Sequence, residues 1–83
     1  MERLEKRKTK KLKLTRKNIE CFNLCAVSLV DIDNHKREGW LVIDYEKDEY
    51  KILPFDDIWN IYNYKFSHIK SIKHCTNGYE LKK

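Results

Sequence analysis

Eighty-three residues enclose a single modest core, which leaves little room for a deep catalytic cleft. A charged fraction of 37% beside an apolar class of 41%, including five Tyr, three Phe and two Trp, excludes a disordered chain. The longest apolar stretch, Ala26 to Val30, is broken by Ser28 and falls far short of the roughly 20 residues of a spanning helix.

The net charge of +5 is unevenly placed. Residues 1–18, MERLEKRKTKKLKLTRKN, hold nine Lys or Arg against Glu2 and Glu5, a balance of +7, whereas residues 19–83 sum to −2. The expected organisation is a basic N-terminal arm over 1–18 and one β-rich domain over 19–83. Clustered cations release counterions from nucleic acid, so Arg3, Lys6, Arg7, Lys8, Lys10, Lys11, Lys13, Arg16 and Lys17 are candidate phosphate contacts. The competing reading is a solubilising terminus, ending in a short helix whose Leu12, Leu14 and Ile19 dock on the body. The arm has no Trp or Phe to insert into a membrane surface, and no membrane partner is expected. No signal-peptide core follows Met1, so the expected compartment is the cytoplasm. There Cys21, Cys25 and Cys75 remain free thiols.

Period-two alternation in CFNLCAVSLVDI predicts a long strand over residues 21–32, buried on both sides in its middle. A polar turn at 33–36 leads to a second strand, REGWLVIDY, in which Trp40, Val42 and Asp44 oppose Leu41, Ile43 and Tyr45. Another turn precedes a third strand, EYKIL, ended by Pro54. Short polar turns between three strands make an antiparallel meander. In PFDDIWNIYN the apolar positions Phe55, Ile58, Ile61 and Tyr62 suit a short helix or 3₁₀ turn over 55–63, with a strand over 59–64 as the competitor. The spacing F-x-x-I-x-x-I then recurs in KFSHIKSI, where Ser67 can cap a single turn. Both copies are expected to feed one core. Asn77-Gly78 predicts a type I′ turn before a last short strand around Tyr79 to Leu81.

A strand, then GWLVIDY, a turn, EYKIL and a late F-x-x-I-x-x-I resemble, over roughly residues 20 to 75, the layout of Sm-like and SH3-like small barrels. The resemblance implies a short N-terminal helix before five strongly bent antiparallel strands; with the basic arm read from charge, the expected fold is α+β, mainly β: a basic N-terminal arm or short helix, then a strongly bent antiparallel sheet or small barrel of SH3-like or Sm-like type. A Phe-polar-polar-Ile segment entering a late strand belongs to that layout. The chain lacks the Arg-Gly or Lys-Gly of the Sm RNA-binding loop, so ring-forming uridine binding is not implied.

Candidate chemistry is sparse. Cys21 and Cys25 lie about 13 Å apart if they share a strand at about 3.3 Å per residue, too far for one zinc ion with His74 and Cys75. Ser67-His68 beside Asp56-Asp57 is a constellation that chance supplies easily, and neither enzymatic activity, nor a cofactor, nor a metal is expected. In WNIYNYKF, aromatic residues beside Lys65, Lys70 and Lys73 make a second candidate surface for stacked bases, with Tyr64 and Lys65 expected to be exposed. The alternative is that Trp59, Tyr62 and Phe66 belong to the core. The leading expectation is a small nucleic-acid-binding protein, of RNA or DNA. The rival is a protein-interaction adaptor or inhibitor, a small regulator of phage or mobile-element type, working through the acidic Asp44 to Asp57 region or a sheet edge that also allows homo-oligomers.

Overall fold

Alternating apolar and polar residues in KREGWLVID and EYKILP produce two half-buried strands, and the sheet is built around that pair. The computed structural model describes residues 11–83, so Arg3, Lys6, Arg7, Lys8 and Lys10 lie outside the described residues. In chain order the elements are β1 (Lys11–Lys13), α1 (Arg16–Glu20), β2 (Ala26–Asp31), β3 (Lys36–Asp44), β4 (Glu49–Pro54), β5 (Tyr62–Lys65), a 3₁₀ turn (Phe66–His68), β6 (Ile69–His74) and β7 (Glu80–Lys82). They form one seven-stranded sheet in the order β1-β7-β6-β2-β3-β4-β5. All pairs are antiparallel except β1 with β7. The expected mainly-β architecture is present. The sheet is bent: the Tyr64 hydroxyl on β5 donates to the Asp31 carboxylate on β2 at 3.3 Å, although two strands intervene in the order.

The inner face collects Val27 and Leu29 from β2, Leu41 and Ile43 from β3, Tyr50 and Ile52 from β4, Ile69 and Ile72 from β6, and Leu81 from β7. Leu14, Ile19 and Phe22 complete this core from the N-terminal side. Residues 11–18, assigned to the arm, thus run as a strand and helix continuous with the body; Leu14 and Ile19 dock as expected, while Leu12 remains exposed. Thr15 caps α1 by accepting the Asn18 N–H at 3.0 Å. The helix runs on into successive turns, where Leu24 takes a φ of 66° and the Asn23 side chain accepts the Ile43 N–H at 2.9 Å. The strand expected from Cys21 therefore begins only at Ala26, and its burial alternates, with one face inward instead of two.

Gly39 is required where β3 crosses β4, because a Cβ there would run into the Leu53 carbonyl and sit 2.8 Å from the Pro54 Cα. Gly78 has a φ of 81°, but Asn77 is not left-handed, so the expected type I′ turn does not form. A longer turn closes β6 onto β7 instead, with His74 Nδ1 accepting the N–H groups of Thr76 and Asn77.

The two F-x-x-I-x-x-I copies have different fates. In the second, Phe66–His68 forms the anticipated 3₁₀ turn and Ile69 and Ile72 are fully buried. Three-residue spacing fits a strand here because the β2–β6 register slips, with Asp31 opposite Ile69 but Val30 opposite Ser71, leaving Lys70 as an extra residue. In the first copy neither helix nor core burial occurs. Two consecutive turns, Asp57 N–H to Pro54 carbonyl and Asn60 N–H to Asp57 carbonyl, leave Phe55, Ile58 and Ile61 on the surface.

Candidate functional site

Strand pairing gathers cations that are remote in sequence. β7 lies between β1 and β6, with Lys13 in register with Lys82, and Lys11 and Lys73 both in register with Glu80. Partners in register point to the same side of a sheet, so Lys11, Lys13, Lys73 and Lys82 share one face while Leu81 and Ile72 turn to the core. All four lysines are exposed, and none forms an ion pair among the described residues. Glu80, half-buried, is the one carboxylate in those two registers. The C-terminal Lys83 adds a further ammonium, which donates to the Ser67 carbonyl at 3.2 Å.

The remaining candidates lie elsewhere. Arg16 packs over the Phe66 ring, 4.9 Å from its centroid, and pairs with Asp48 in the β3–β4 turn. Lys17 is exposed on α1. Lys65 stands on the opposite edge strand, 3.6 Å from Glu49 and bonded to the Lys47 carbonyl. Lys70, pushed out by the register slip, donates to Asn34 at 2.6 Å. Tyr64, expected to be exposed, is half-buried against the core, and its ring is unsuited to stacking on a base. Burial pushes its phenol above the ordinary value, opposed by the neighbouring Arg37 guanidinium. Arg37 itself stacks over Tyr62 at 4.3 Å. The second surface imagined around WNIYNYKF is thus divided: Tyr62 and Phe66 pack against the core, while Trp59 is 88% exposed.

Among the described residues Asp31 is the one buried carboxylate. Burial raises its pKa, but the backbone N–H groups of His35 and Asp33, with His35 and the Tyr64 hydroxyl, outweigh that and hold it below the usual carboxylate value. Both N–H groups reach one oxygen at 2.9 Å, shaping the turn in which Asn34 takes a φ of 67°. Asp31, Asp33 and His35 bring potential ligand atoms within 4.8 Å of one another, which the turn geometry explains without an ion. The zinc set considered from sequence is not assembled as a cluster among the described residues. Burial, reinforced by Glu38, raises the Cys75 thiol, the opposite of nucleophile activation.

Sequence reasoning missed two features. Lys82 joins the basic face only through the non-local β1–β7–β6 pairing. The second is an apolar surface of Trp40, Phe55, Ile58, Trp59 and Ile61, each at least 43% exposed, whose periodicity reads the same whether it meets core or solvent. Among the described residues no helix is long and apolar enough to cross a membrane. The chain matches no protein-family model, no curated protein and no solved structure.

Proposed function

We propose that the chain is a non-enzymatic nucleic-acid-binding protein that holds phosphates on the lysine face of β1, β7 and β6, together with the basic segment preceding it. The supporting observation is the register that sets Lys11, Lys13, Lys73 and Lys82 side by side without ion-pair partners among the described residues. Cations already neutralised, such as Lys65, have less to offer a phosphate than ammonium groups that are simply hydrated. Three adjacent strands make a rigid platform, and the chain enters it from the most basic stretch of the sequence.

The finer reading of the fold is a small barrel of Sm-like or SH3-like type. Three features support it: α1 precedes the strands, β6-β2-β3-β4-β5 are consecutive neighbours, and Phe66-Ser67-His68-Ile69 enters β6 through a 3₁₀ turn. The fold alone selects no ligand; the lysines do.

Fluorescence anisotropy with RNA, single-stranded DNA and duplex DNA across about 50 to 200 mM salt tests the function. Binding is expected to weaken with salt, and the combined variant K11Q/K13Q/K73Q/K82Q to flatten the log–log slope by about 3 to 4 on duplex. Absence of binding to all three nucleic acids at low salt would refute the function. An unchanged slope in the variant would refute the site.

A further inference from the structure

We propose that the ligand of the lysine face is double-stranded: a duplex held through its phosphates, bound in preference to a single strand. The inference rests on the nucleic-acid reading above and narrows it. Register spreads the cations in two dimensions. Lys13 and Lys82 are neighbours across β1 and β7, while Lys11 and Lys73 flank Glu80 in a second row two residues along the strands. At about 4.8 Å between strands and about 3.3 Å per residue, the four Cα positions span roughly 10 by 7 Å. The ammonium groups therefore form a plate across three strands and not a single file along one backbone.

The plate offers charge without a surface for stacking. β1, β6 and β7 read KLK, IKSIKH and ELK, with no Phe, Trp or Tyr, and residues 1–18 contain none either. Tyr79, just before β7, packs against the core. Ser28 follows Lys73 in register on β2, and Ser71 shares the side of Lys82 on β6. Trp40 reaches this side of the sheet only on β3, two strands beyond β6, with Glu38 as its outward neighbour. A single strand would have to leave the lysines and pass a carboxylate to stack there.

Proteins that hold single strands add base stacking to a basic groove, and that gain offsets the entropy of ordering a flexible chain. Ammonium groups alone reward the ligand whose charge is densest and already fixed in place. A duplex carries one phosphate per about 1.7 Å of axis, twice the density of either strand within it. Each phosphate neutralised also counts for more, with a log–log salt slope of about 0.9 on duplex against about 0.7 on single strands. Paired phosphate backbones are common to duplex DNA and duplex RNA.

The test is fluorescence anisotropy of the full chain with a DNA duplex, the RNA duplex of the same sequence and the separated strands of each, at about 100 mM salt. Both duplexes are expected to bind at least about tenfold more tightly than their strands, and the tighter of the two identifies which nucleic acid supplies the phosphates. Trp40→Ala, its folding checked by circular dichroism, is expected to leave every affinity unchanged. Single strands bound as tightly as the duplexes, or single-strand binding weakened by Trp40→Ala, would overturn the inference while the nucleic-acid reading stands. Absence of binding to duplexes and strands alike would remove that reading and the inference with it.

Discussion

Two residues hold local geometry that their neighbours cannot supply. Asp31 is favoured in its charged form by the fold, since its pKa lies below the ordinary 3.8. Its contribution to stability is therefore complete above that value and lost as pH falls through the lower folded value. Thermal melts of Asp31→Asn should show a deficit at neutral pH that narrows on acidification below about pH 4; a deficit independent of pH would contradict the assignment. Gly39 is constrained by backbone, not by a flexible side chain, because the added methyl of Gly39→Ala meets the Leu53 carbonyl. Urea denaturation should show a loss of about 2 to 3 kcal/mol, with β3 and β4 forced apart. Neither role is visible in composition alone. The turn around Asp31 was legible from Asp33-Asn34, whereas its bond to Tyr64 depends on the bending of the sheet.

At the scale of elements, local alternation carried most of the information. β3 and β4 match their predicted spans to within a residue because each alternates against a single core. The same alternation misleads at Cys21 to Cys25, where α1 continues into turns held by Asn23 and the distant Ile43 amide. The repeated F-x-x-I-x-x-I shows the limit most clearly. Its spacing was correctly associated with a 3₁₀ corner in the second copy, yet nothing within seven residues distinguishes a segment that pairs with β2 from one that only turns. A matched pair of substitutions measures the difference. Ile72→Ala should cost about 2 to 5 kcal/mol, as expected for a fully buried aliphatic. Ile58→Ala should change stability by no more than about 0.5 kcal/mol. Comparable losses at both positions would place the first copy in the core after all.

For the whole molecule, the divided charge in the sequence becomes divided space. β1, β7 and β6 occupy one end of the strand order and bear Lys11, Lys13, Lys73 and Lys82, which form no ion pair among the described residues; β3, β4 and β5 with their turns occupy the other and hold seven carboxylates beside Lys36, Arg37, Lys47, Lys51 and Lys65, together with the exposed Trp40, Phe55 and Trp59. The sequence indicated a basic arm and an acidic body, but the continuation of the arm through Lys73 and Lys82 required the parallel pairing of strands almost seventy residues apart. The most direct measurement is an amide and indole chemical-shift map of the labelled chain titrated with a short duplex at low salt. Shifts should concentrate at Lys11, Lys13, Lys73 and Lys82 and leave the Trp59 indole unmoved, whereas a map centred on Phe55 and Trp59 with silent β1 and β7 would contradict the assignment.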